Sequence, residues 1–209
     1  MLSCIIRQNG SSLVELMISI TLGFASMTAM SSLVAHGIAL NSQLITKSRL
    51  NAEVNAVLAV ISQDLKRAGY QASTKQLLDD PQHFVNPFEA TLDLAEFSKE
   101  PNDSCILFAY DRNQNGALDT LKTNENYGYR LRGKAIEMRV DGLGCDKGGW
   151  QDLTDPSVIK VNSLLFIQEK VETQKVGQHR ISIQLQAELT NNPDISRYTS
   201  IDVIIKNYE

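Results

Sequence analysis

The sequence predicts an α+β fold in which a long N-terminal helix, membrane-spanning in its first half, packs on an antiparallel β-sheet head. Three observations predict it. The 25 residues from Leu16 to Leu40 contain no Asp, Glu, Lys or Arg. Beyond them, apolar residues recur at spacings of three and four as far as Leu65, the period of a helix with one buried face. From Cys105 onward, short runs of β-branched and aromatic residues alternate with turn signals, the texture of strands. The chain accordingly divides into residues 1–10, a polar leader; 11–40, a hydrophobic helix; 41–70, an amphipathic helix; and 71–209, a β-rich head.

At about 1.5 Å rise per residue the charge-free run forms a helix of roughly 37 Å, long enough to cross a hydrocarbon core of about 30 Å. Ser19, Thr21, Gly23, Ser26, Thr28, Ser31, Ser32 and Gly37 are interspersed in it. Such small residues let other helices approach closely. An uncleaved signal anchor is the simpler alternative. Ser12-Leu13-Val14-Glu15 fits a capping box, in which Ser12 and Glu15 satisfy each other's backbone donors at a helix start.

After the span, Leu50, Val54, Val57, Leu58, Ile61 and Leu65 define one face of a helix that Gly69 ends, just after Lys66 and Arg67. From Ser12 to Ala68 such a helix extends about 85 Å. Its far half needs a domain folded against it. Pro81, Pro87 and Pro101 break the next stretch, which reads as loops with a short helix near Leu92 to Phe97. Strands are expected at 105–110, 127–131, 135–140, 158–168, 179–189 and 198–206. Arg132-Gly133-Lys134 makes a tight hairpin turn, and Ile181-Ser182-Ile183-Gln184-Leu185-Gln186-Ala187 alternates strictly, giving one buried and one wet face.

Secretory signals place their cleavage site after the apolar region. Here Gly10-Ser11 lies before it, with Leu13, Val14, Glu15, Leu16 and Met17 following. This arrangement resembles the leader of type IV prepilins and type II secretion pseudopilins. The resemblance implies a peptidase cut between Gly10 and Ser11, N-methylation of Ser11, and a Glu15 carboxylate that meets the amino terminus of an adjacent subunit during assembly. Ser11 departs from the phenylalanine usual at the first mature position. The helix end Asp64-Leu65-Lys66-Arg67-Ala68-Gly69-Tyr70, together with Tyr127-Gly128-Tyr129-Arg130, Ala135-Ile136-Glu137-Met138-Arg139 and Gly149-Trp150, is similar to PilW-type minor pilins and more loosely to J-type pseudopilins. The implied fold is type IV pilin-like. A single-pass inner-membrane location with a periplasmic head is implied, with the pilus tip as a further destination.

The net charge of −4, and a balance beyond Tyr70 of 15 Lys or Arg against 21 Asp or Glu, argue against a nucleic-acid surface, which needs clustered positive charge. Cys4 falls in the leader, leaving Cys105 and Cys145 as an even pair. In an oxidising compartment a disulfide is the favoured reading, worth a few kcal/mol, and two buried free thiols the alternative. It would pin the glycine-rich Asp141–Gly149 loop ahead of a packed Trp150.

Asp111, Asn113, Asn115, the Ala117 carbonyl and Asp119, with Gly116 between, match the first half of a calcium loop. The second half departs from it, because Lys122 stands where a bidentate glutamate belongs and Glu125 comes three residues later. An ordinary Asn-Gly turn is the competing reading, so Ca2+ is the one cofactor the sequence suggests. His36, His83 and His179 lack metal-ligand spacing, and no hydrolase or zinc-protease motif is present, so no enzyme is expected. The expected function is that of a minor pilin in the priming or tip complex of a type IV pilus. Its partners would be other minor and major pilins, the prepilin peptidase and the inner-membrane assembly platform. The alternatives are a J-type pseudopilin and a calcium-dependent surface-binding module on a membrane anchor.

Overall fold

A computed structural model of the chain describes residues 12–73, 79, 83, 85–89, 91–121, 123–173 and 176–207, with only the backbone of 170–173 and 176–178. Residues fall into two compact units that divide between Ser48 and Arg49. The first unit contains the start of α1 (Leu13–Leu65). Its residues 12–45 are all exposed, and α1 is long and apolar enough to cross a membrane. It is thus a candidate membrane anchor. Ser19 Oγ, Thr21 Oγ1, Ser26 Oγ and Thr28 Oγ1 each donate to a carbonyl three or four residues back. These bonds satisfy those four hydroxyls within the helix itself.

In the second unit, the rest of α1 buries Leu50, Val54, Val57, Leu58, Ile61 and Leu65, the same six residues that the spacing selects. The helix unwinds through a turn that ends at Gly69 (φ +76°), where a left-handed residue costs least, and Gly69 N donates to Ala109 O.

Two antiparallel sheets complete this unit. One runs in chain order β1 (Asp93–Ala95), β2 (Cys105–Ala109), β3 (Asn126–Arg132), β4 (Ala135–Met138), β5 (Gln151–Asp152). The other is β6 (Ile159–Thr173), β7 (Val176–Leu189), β8 (Asn192–Ile205). Val161 N to Lys134 O and Phe166 N to Asp103 O tie β6 back to the first sheet's connections. The shared core gathers the buried α1 face with Ile106, Phe108, Leu131, Phe166, Ile183 and Val203.

Residues 92–97 do not form the expected helix. Asp93–Ala95 is an edge strand whose Ala95 pairs with Cys105, and Leu92 and Leu94, two positions apart, both pack on the core. A period of two buries both leucines on one face, which a helix would separate. The strands expected at 127–131 and 135–140 join through Gly133 (φ +57°) and Lys134 (φ +70°) with Arg132 opposite Ala135. That is the two-residue hairpin expected at this turn, with positive φ at both central positions. The last three strands run longer than predicted, and β8 begins at Asn192 with Pro193, tolerated because β8 is an edge.

Candidate functional site

The helix start carries the first candidate residues. Glu15 Oε2 accepts from Ser12 N (3.0 Å), the half of the capping box that its spacing requires, while Ser12 Oγ caps Val14 N (3.4 Å) in place of Glu15 N. Both side chains are exposed. The carboxylate also sits at the positive end of the helix dipole. Gly10 and Ser11 lie outside the described residues, as does Cys4.

In the second unit, the loop between β2 and β3 is built on two buried carboxylates. Asp111 (2% exposed) accepts from Asn115 N on Oδ1, and from Ala72 N and Gly116 N on Oδ2. Glu125 (0% exposed) accepts from Arg112 N and Asn113 N on Oε1, and from Asp119 N on Oε2. Gly116 (φ +78°) is required twice, for its dihedral and because a Cβ there would come within 1.9 Å of Ser73 Oγ.

The calcium expectation fares differently. The side-chain amide nitrogens of Asn113 and Asn115 both donate to Asp119 Oδ2 (2.6 and 2.8 Å), while their oxygens cap Asn115 N and Ala117 N. Among the described residues no group of three or more His, Cys, Asp or Glu converges to hold a metal. Asp111, Asn113, Asn115, Ala117 and Asp119 share one turn, but two amide nitrogens in it, not oxygens, face Asp119 Oδ2. As arranged, the donor set does not fit Ca2+. Glu125, out of place for an EF-hand, is the residue that closes the loop.

Cys105 and Cys145 form a disulfide with Cα atoms 6.2 Å apart. With Trp150 they make a second, smaller core. At its centre is Arg130, fully buried, with its guanidinium between the rings of Phe97 (4.8 Å) and Trp150 (4.4 Å). Nε donates to Glu137 Oε2, Nη2 completes the ion pair, and Nη1 donates to the carbonyls of Cys145 and Lys147. Burial lowers the Arg130 pKa, the neighbouring Arg132 charge adds to the shift, and the Glu137 carboxylate opposes it. The pairing of Arg130 with Glu137 is not among the expectations drawn from the sequence. Its signal was present, since counting outward from the Gly133-Lys134 turn places Arg130 opposite Glu137.

A cleft of about 800 Å3 opens between the end of α1, the β2–β3 loop and the segment after β4. Tyr110 and Tyr127 stack at 4.1 Å in its wall, with Arg67 4.9 Å over the Tyr110 ring. Asp64 pairs with Arg67 and accepts from the Tyr129 hydroxyl. Burial pushes both the Tyr110 and Tyr129 phenols well above their ordinary 10.0. Arg139 also lines the cleft. Its nitrogens donate to the carbonyls of Leu143, Tyr127 and Gly142, and burial lowers its pKa.

Comparison with known proteins places this architecture. A relative in Haemophilus influenzae, described as an uncharacterized protein, is 25% identical over 196 residues, covering 76% of this chain and 80% of its own. Prepilin peptidase-dependent protein B of Escherichia coli K12 is 21% identical over 171 residues, covering 79% of this chain and 81% of its own. No solved structure matches significantly. The profile of the prepilin peptidase-dependent protein B family matches residues 43–205, which includes the buried face of α1 and every strand of both sheets. By that match the chain belongs to the prepilin peptidase-dependent protein B family, a group of prepilin-like, pilin-related proteins, and the finer PilW assignment does not follow from it.

Proposed function

We propose that this protein is a minor pilin that is matured between Gly10 and Ser11, held in the inner membrane by the first half of α1, and recruited into the priming or tip complex of a type IV pilus. The observation that carries the reading is the order at the amino terminus. A glycine-ended polar leader precedes a capped helix start at Ser12 and Glu15, and a charge-free helix with exposed residues on every side follows. A carboxylate at the edge of an apolar span is costly without a partner. Before assembly Glu15 has one in its own helix start. During assembly the positive amino terminus of a neighbouring subunit would replace it, as the apolar helices leave lipid for one another. The name of the Escherichia coli relative, which describes it as prepilin peptidase-dependent, supports the same maturation here.

The head supplies recognition and no chemistry in this reading, so the protein is structural, not an enzyme. Its partners are other pilins, the prepilin peptidase and the inner-membrane platform, and the head faces the periplasm. A J-type pseudopilin of a secretion system is the same-class alternative. Intact-mass measurement of the membrane form tests the maturation step. The expected species begins at Ser11, with a methyl group on its amine, and a chain beginning at Met1 overturns the proposal. Glu15→Ala is expected to reduce pilus number while leaving the protein processed and in the membrane. Unchanged piliation rejects the assembly role.

A further inference from the structure

Residues 140–150 form a flap over the second, smaller core. Backbone bonds fix the chain on either side of it, Arg139 N to Gly128 O and Leu153 N to Ile136 O. Among the described residues, the flap's own backbone–backbone bonds are internal, Leu143 N to Val140 O and Lys147 N to Gly144 O. Asp141 (φ +51°) and Gly142 (φ +67°) stand at one root and Gly149 (φ +86°) at the other. Side chains therefore hold the flap in place. The carbonyls of Gly142 and Leu143 accept from Arg139, that of Gly144 from the Trp150 indole, and those of Cys145 and Lys147 from Arg130. The Cys105–Cys145 disulfide is its covalent tie to β2.

We propose that this disulfide is a redox latch: on its reduction residues 140–150 open, Trp150 and Arg130 reach water, and the Arg139 wall of the cleft is released with them. Arg130 supplies the drive to open. Its guanidinium is fully buried, and keeping a charge from water is costly even when it is paired. Stacking on Phe97 and Trp150 and the two carbonyl bonds offset that cost only while the flap is closed. With Cys145 tied to β2 the flap cannot leave. With the tie cut, opening gains chain entropy and hydrates the charge. The reaction is a thiol–disulfide exchange with a dithiol reductant. Its thiolate attacks Cys145 Sγ, Cys105 departs as a thiolate, and the reductant's second thiolate resolves the mixed disulfide by releasing Cys145. The two protons lost by the reductant end on the two cysteines, and the reductant leaves as its own disulfide. Neither maturation nor pilus assembly is needed for this inference.

The test reads Trp150, the only tryptophan of the chain and 8% exposed, by its fluorescence in the full chain in detergent. A Cys4→Ser background removes the third thiol. Reduction by dithiothreitol is expected to move the emission to longer wavelength and to raise acrylamide quenching several-fold. Far-UV circular dichroism should be almost unchanged, because the ladders of both sheets do not depend on the flap. Cys105→Ala with Cys145→Ala is expected to show the shifted emission without reductant. Arg130→Met with Glu137→Leu removes both buried charges, and its reduced form is expected to keep an unshifted emission. An unshifted emission in the reduced parent chain, or an equal shift in the Arg130→Met, Glu137→Leu chain, overturns the proposal. So does loss of the far-UV signal on reduction, which would make the disulfide a condition of the whole fold and not a latch.

Discussion

At the scale of single residues, the most consequential side chain of the head is Arg130, whose charge lies between two aromatic rings and against Glu137. Removing one member of a buried ion pair strands the other, at a typical cost of about 3–5 kcal/mol. Arg130→Met is therefore expected to lower the urea-unfolding free energy by about that amount, and adding Glu137→Leu to recover most of it. If the double variant is no more stable than the single one, the pairing is not the source of the loss. The tyrosines near the cleft set a second expectation. Burial favours the neutral phenols of Tyr110 and Tyr129, so their pKa values are raised in the folded state. Below pH 10 both states keep these protons and the full contribution is present. As pH rises past that point the unfolded chain releases protons that the fold retains, and stability falls. Urea midpoints at about pH 8 and about pH 11 should separate, and Tyr129→Phe should narrow the gap. In the sequence Arg130 and Tyr129 stand out only as part of a family resemblance, because their significance is a matter of neighbours: Phe97, Glu137 and Trp150 in one case, Asp64 in the other.

The β2–β3 loop illustrates, at the scale of the element, how a motif can be legible while the residue that closes it is not. The alternating Asp111, Asn113, Asn115 and Gly116 do fold into one tight turn, as the pattern implies. What closes it is Glu125, which accepts three backbone N–H groups from inside. Glu125→Ala leaves those donors unmet and is expected to cost about 3 kcal/mol or more, measured by urea unfolding. Calcium at millimolar concentration should not shift the thermal midpoint. A saturable rise would reveal binding to the folded form. The buried face of α1 was fully legible because charged and polar residues flank each apolar position at the helical period. The strand at 93–95 was not, since three residues are too few to display a period. The β6–β7 hairpin was underestimated because Glu169, Lys170 and Glu172 interrupt its apolar alternation. The cleft could not be read at all. Its lining runs from Asp64 to Asp141 in sequence, and only the pairing of β3 with β2 and β4 brings those residues together.

For the whole molecule, the division between Ser48 and Arg49 falls inside the helix and not at its end. The six buried residues of α1 all lie beyond it. A chain beginning at Arg49 is thus expected to fold as a soluble head. One beginning at Gln71 loses Leu50, Val54, Val57, Leu58, Ile61 and Leu65 from the core and is expected to aggregate. Circular dichroism and gel filtration of the two truncations distinguish these outcomes. The family match, which begins at residue 43, includes all six of them. Strand β8 closes the second sheet on one side and leaves a backbone edge with hydrogen-bonding groups that no other strand among the described residues takes up. Crowded copies of such an edge tend to zip together. Pro193 withholds an N–H at the start of the strand, and the exposed Asp194 and Asp202 set negative charge along it. Like charge on every copy makes lateral fusion unfavourable, so heads can be concentrated side by side without sliding into amyloid-like stacks.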